Sequence, residues 1–187
     1  MSVDEASLQP TETGLVPASD GWFVLNAREA RWLAAPGRSA LCDFEGDVPF
    51  PQLGVNLFVL APGEAMSMYH WEADQEDFLV LAGEGLLVIE GEERSLAPWD
   101  LVHCPAGASH VILGAGDGPC LVLAVGARVR SIGEGWGAYP VEPAALRHGA
   151  GVERETTVPD EAYAGLQRRR PVVYDPAWLP ELPGGTV

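Results

Sequence analysis

From Trp22 to Ala127 apolar residues come in short runs, broken every few positions by Gly, Pro or Asp. Runs of this length, with alternation rather than helical spacing, predict strands. The expected set is Trp22–Leu25, Ser39–Phe44, Val55–Leu60, Ala65–Trp71, Asp77–Leu81, Leu86–Glu90, Arg94–Leu96, Leu101–Cys104, His110–Leu113 and Cys120–Val125. Their connections are tight: Ala61-Pro62-Gly63, Gly83-Glu84-Gly85, Gly91-Glu92 and Pro98-Trp99-Asp100. With no helix between them, such strands pair antiparallel and close into a sandwich or barrel.

The flanks read differently. Residues 1–20 are polar and acidic, with few large apolar groups, and are expected to form an N-terminal tail or an arm that orders on a partner. Residues 21–127 form the barrel, and residues 128–187 an extension packed on it or on a partner subunit. Within the extension, Glu142–His148 carries an acidic residue and a Pro at its start and Gly149 after its end, which predicts a short helix. Asp160–Leu166 predicts a second helix. The closing segment, with Pro171, Pro176, Pro180 and Pro183, is expected to be extended and docked by Trp178 and Leu179. No internal repeat is present.

Charge narrows the partners. The formal net charge of −16 argues against nucleic acid or an anionic membrane surface. All 11 basic residues are arginine, so no lysine of this chain can form a Schiff base, the usual attachment of pyridoxal phosphate. The triplet Arg168-Arg169-Arg170 reads as a solvated patch or a salt-bridge site for a partner. Cys42, Cys104 and Cys120 are odd in number and lack CxxC spacing, which disfavours a disulfide scaffold or a cysteine zinc site. The polar N-terminus lacks the apolar core of a signal peptide, and no apolar run reaches the ~20 residues of a membrane helix. A cytoplasmic protein is expected.

Chemistry concentrates between Gly63 and His110. Residues two apart on a strand share a face, so Met66, Met68, His70 and Glu72 point one way, and Ser67, Tyr69 and Trp71 the other. A turn over Ala73–Gln75 returns Glu76 beside His70, and Pro105-Ala106-Gly107 presents His110. Two imidazoles and two carboxylates suit a divalent transition metal such as Mn, Fe, Zn or Ni. His103 falls out of phase with its neighbours and is a candidate acid/base or supporting group. Cys104 reads as a buried small hydrophobe, and His148 as a helix-end residue. Ser109-His110 lacks the acid and oxyanion donors of a serine hydrolase.

The order Pro62-Gly63, His70-x-Glu72-x-x-x-Glu76, Gly83, and then Asp100, Pro105-x-Gly107-x-x-His110, resembles the two motifs of the cupin superfamily over roughly residues 50–125. The resemblance implies an all-β double-stranded β-helix (jelly-roll) barrel with a metal in its mouth, held by His70, Glu76 and His110. Glu72 stands where the family usually has its second histidine. His70 comes one residue later after Gly63 than is usual, Trp99 replaces a glycine, and Gly114 an asparagine. In the usual register Tyr69 and Trp71 would take the ligand positions; only the 70/72 phase puts donor side chains there.

Such a chain is expected to be a metal-dependent enzyme of oxygenase or isomerase type, acting on a small organic molecule. Met66, Met68, Phe78 and Val80 would line the barrel mouth. The alternative is a non-catalytic metal or small-molecule binding module, with Trp136, Tyr139 and Trp178 capping the mouth or building a subunit interface. A solvent path to the site favours the enzyme. Pairing through sheet edges and terminal arms makes a homodimer the expected assembly.

Overall fold

The computed structural model describes residues 2–130 and 135–180. Pro183 therefore lies outside the described residues. A hairpin, β1 (Leu8–Thr11) and β2 (Gly14–Pro17), precedes the barrel strands β3 (Trp32–Ala35), β4 (Arg38–Cys42) and β5 (Leu53–Leu60). These are followed by β6 (Trp71–Glu72), β7 (Glu76–Ala82), β8 (Glu84–Ile89), β9 (Glu92–Leu96), β10 (Leu101–Cys104), β11 (His110–Ala115) and β12 (Cys120–Ala127). The extension contributes β13 (Gly137–Ala138), α1 (Pro143–Arg147), α2 (Pro159–Ala162) and β14 (Arg170–Val172).

Two antiparallel sheets face each other. The larger runs β10-β7-β12-β5-β4-β3-β14, and the smaller β11-β8-β9. Alternate residues of both meet in a core of Leu60, Phe78, Val80, Val102, Ile112 and Val122. Phe78, Val80 and Val122 are essentially solvent-free, and each such side chain contributes roughly 1.5–3 kcal/mol of apolar burial. The architecture is the all-β double-stranded β-helix.

Both outer faces are covered by the extension. On the smaller sheet, Ala144 and Ala145 of α1, with Ala150, pack on Tyr69, Val88 and Val111. Helix α1 starts as its sequence dictates: the Glu142 carboxylate accepts from Ala144 N at 2.9 Å, and Pro143 occupies the first turn. On the larger sheet, Trp32, Ala40 and Cys42 are covered by Tyr174, Trp178 and Leu179. Trp178 stacks on Trp32 with ring centroids 5.0 Å apart, so it covers a sheet face and not the barrel mouth.

Several elements differ from the sequence expectation. Trp22–Leu25 is not a strand; Trp22 exchanges backbone hydrogen bonds with Asp4 and Ala6, and Val24 is left in solvent. Residues 8–17, within the expected tail or arm, form a hairpin bonded through Leu15 to Glu29 and Arg31 of the same chain. Strand β3 was hidden by its Ala-rich sequence, although the Pro36-Gly37 turn that follows, with Gly37 at φ +69°, marks a hairpin. Ala65–Trp71 joins ladders only at its ends, because Met68 N donates to the Tyr163 hydroxyl and Tyr69 N to Ala150 O. The second helix is a single turn.

Candidate metal centre

The centre is built on a backbone pairing. His70 N donates to His110 O at 3.2 Å, and His110 N returns a bond to His70 O at 2.8 Å. Residues opposed in this way carry their side chains on one face, and the two rings lie 5.1 Å apart by centroid. Glu76 opens β7, opposite Gly126 of β12 and Cys104 of β10.

Each imidazole is fixed by its other nitrogen. His70 Nδ1 meets Met68 O at 2.8 Å, and His110 Nδ1 meets Ala108 O at 3.0 Å. A carbonyl only accepts, so Nδ1 carries the proton and donates, and in the neutral ring Nε2 presents a lone pair. Those Nε2 atoms converge on one oxygen, Glu76 Oε2, at 3.8 Å from His70 and 3.4 Å from His110. One donor atom from each of the three residues falls within a mutual distance of 4.8 Å. Metal–donor bonds of about 2.1 Å leave adjacent donors separated by about 3–3.5 Å, close to the observed spacing.

Burial sharpens the fit. Glu76 Oε2 and His110 Nε2 are both buried without a hydrogen-bond partner among the described residues. Desolvation pushes the Glu76 carboxyl up to about 7; Glu72 adds to the rise and His70 opposes it. Burial, helped by the charge of His70, pushes His110 down to about 4. For His70 desolvation is the largest influence and acts downward, yet the bond to Glu72 and the charges of Glu76 and Glu72 together hold it above its ordinary value. A lone pair and a buried carboxylate facing each other without a cation are unfavourable, so these donors fit a divalent metal.

The fourth predicted ligand stands apart. Glu72 Oε1 lies 3.6 Å from His70 Nε2 but outside the three-residue cluster, and the side chain keeps 21% exposure. It faces a cavity of about 300 Å³ shared with His70, Glu76, Met66, Phe78 and Asn56. Val80 is in the closed core and Met68 packs under Tyr139 and Val152, so neither lines the mouth as expected. Solvent therefore reaches the centre through the Glu72 side.

The extension completes the wall. Strand β13 pairs with β6, with Gly137 opposite Glu72 and Ala138 opposite Trp71. This brings Trp136 and Tyr139 over His70, at centroid distances of 6.5 and 5.8 Å. Burial, with Tyr163 and Glu72 nearby, raises the Tyr139 hydroxyl well above its ordinary value. His103 is on the outside, bonded to Asp77 at 2.7 Å and away from the centre. His148 is at the α1 end, bound to Glu93, and all three cysteines are buried and unpaired.

Residues 56–126 match the profile of the family described as Cupin domain. The barrel over these residues is a cupin domain. No curated protein matches this cupin. Among solved structures it is similar to a protein provisionally described as a sugar phosphate isomerase from Acidithiobacillus ferrooxidans, at 26% identity over 57% of this chain and 76% of that one, with a TM-score of 0.51. A cupin-superfamily sugar phosphate isomerase from Silicibacter pomeroyi aligns at 29% identity, over 54% and 71% of the two chains, with a TM-score of 0.44. The polyketide cyclase RemF from Streptomyces resistomycificus aligns at 14% identity over 57% and 79%, with a TM-score of 0.49. No helix among the described residues is long and apolar enough to cross a membrane.

Proposed function

We propose that this cupin is a metal-dependent enzyme of isomerase type that moves a proton on a small organic molecule. The observation that carries the reading is the convergence of His70 Nε2 and His110 Nε2, each with Nδ1 tied to a carbonyl, on the orphaned Glu76 Oε2 beside a solvent-reached cavity. His70, Glu76 and His110 would hold the ion, and the nitrogen–oxygen donor set suits Mn, Fe, Zn or Ni. Bound there, the metal would supply Lewis-acid polarisation of a ligand oxygen.

The remaining roles fall to the chain's own groups. Glu72, beside the donor cluster and open to the cavity, takes a proton from the ligand at its carboxylate. Tyr139, which keeps its proton at neutral pH, offers a hydroxyl at the same cavity wall. Trp136 and Tyr139 shield the ligand from bulk water. The similarity to the Acidithiobacillus ferrooxidans protein, named for isomerase activity, favours isomerisation over oxygenation. Metal analysis of purified protein should find one divalent ion per chain, lost in His110→Ala and kept in Glu72→Gln. Glu72→Gln should lower turnover at least a hundredfold. Stoichiometric metal with no turnover on any isomerisable substrate would assign the site to binding alone; metal-free protein from metal-replete growth would defeat both readings.

For assembly we propose a homodimer in which a second copy covers the exposed edge strand β10 of the larger sheet. Leu101 of that strand and Trp99 in the turn before it are 67% and 75% exposed. Three unpaired buried thiols suit a reducing compartment, which supports a cytoplasmic location.

A further inference from the structure

The fold splits the arginine triplet. Arg168 stays in solvent, 3.1 Å from Asp160, and Arg170 begins β14 on the surface. Arg169 turns inward and lines the cavity that also holds His70, Glu72 and Glu76. Its Nε donates to Ser39 O at 2.8 Å, and its Nη2 to Ser39 Oγ at 2.6 Å and Met66 O at 3.2 Å. The guanidinium carbon lies 5.8 Å from the centroid of the Phe58 ring.

Every one of these acceptors is neutral. They fix the orientation of the guanidinium without pairing its charge directly, and Glu64 acts on it only from beyond salt-bridge distance. Among the described residues no carboxylate oxygen comes within 4.0 Å of it, and its Nη1 has no hydrogen-bond partner. Arg128, the other arginine on this cavity, differs: its Nη1 donates to Glu45 at 2.6 Å, and an acid neutralises it. Burial lowers Arg169 only to about 10, with Arg38 contributing, so it stays charged at neutral pH. A half-buried cation held open toward a ligand cavity is favourable when an anion completes it.

We propose that Arg169 anchors a carboxylate or phosphate group of the ligand, so that the substrate is a small organic anion spanning from this guanidinium to the His70–Glu76–His110 centre. The inference rests on reading that centre as the ligand-facing metal site. At about 300 Å³ the cavity is at the lower end of ligand pockets, which limits the substrate to a few carbons beyond its anionic group. Phe58, Phe78 and Trp136 offer apolar faces for that skeleton.

The test is calorimetric titration of the protein as purified with inorganic phosphate and, separately, acetate, with metal content measured on the same samples. Wild type should bind at least one of the two, and which one identifies the anionic group. Arg169→Gln should bind it at least tenfold more weakly with metal content unchanged, and Arg169→Lys should recover part of the loss. Equal affinity in wild type and folded Arg169→Gln, or no binding of either anion, overturns the anchor while leaving the metal centre standing. Binding lost in Arg169→Gln from protein that never held metal keeps the anchor and removes the metal centre. Should Arg169→Gln not fold, wild-type crystals soaked in the bound anion decide: density on the Arg169 guanidinium supports the proposal, and density only elsewhere refutes it.

Discussion

At the scale of single residues, proton competition at the centre is the sharpest consequence of the geometry. Metal-free, Glu76 is raised from 4.5 to about 7, so its contribution to stability is full below 4.5 and lost as pH rises through about 7. His110, lowered from 6.5 to about 4, works the other way: its contribution is present above 6.5 and lost as pH falls toward 4. The two oppose each other across the shared window, and the melting temperature of metal-free protein should vary little there. Metal binding escapes the cancellation, because the ion needs Glu76 ionised and His70 neutral. Titrations in buffers of different ionisation enthalpy should show about one proton or more released per metal at pH 6, and almost none above pH 8. Glu76→Gln should abolish the site. His70 and Glu76 were legible in the sequence because one short turn separates them, and His110 because it follows the Pro105-x-Gly107 turn of the second motif. Arg169 was not, since its inward turn is decided by Ser39 and Met66, which lie 130 and 103 residues away along the chain.

Among elements, β13 is short but consequential. It consists of two residues, and its pairing with β6, beside the bond from Ala73 N to Trp136 O, holds Trp136 and Tyr139 at the mouth. Gly137 permits the approach: a Cβ there would meet Trp71 O at 2.1 Å. Gly137→Val should therefore detach the segment at a cost of about 1–3 kcal/mol. Tryptophan fluorescence should shift to the red and turnover fall, with metal content retained, because the metal donors come from other elements. This piece was invisible to pattern reading, as two residues carry no periodicity. The same limit explains the 65–71 segment. Its alternation was read correctly for His70, yet its backbone partners come from Tyr163 and Ala150, distant in sequence. Long runs fared better: Val55–Leu60 and Cys120–Val125 were recovered inside β5 and β12, whose residues bury on the core face.

Taken as a whole, the molecule is a strongly acidic shell around a small site bordered by arginines. Its larger sheet ends in two edges, β10 and β14. β14 carries Pro171 and charged Arg170, features that discourage further pairing. β10 instead exposes Leu101, next to Trp99 held at φ +77°. Sedimentation should give a dimer for wild type and a monomer for the Trp99→Glu, Leu101→Lys double variant, with metal content intact in both. A monomeric wild type would remove the assembly proposal and leave the centre untouched, since all its donors come from one chain.

The reciprocal backbone hydrogen bonds between His70 and His110 join an irregular segment to a regular strand at the one point where both imidazoles are needed. Displacing either backbone by a single position would present Tyr69 or Val111 in place of an imidazole. Loading with an ion thus serves as a gauge of correct threading. A population folded with its strands misaligned would be detectable simply as protein that a chelating dye finds empty.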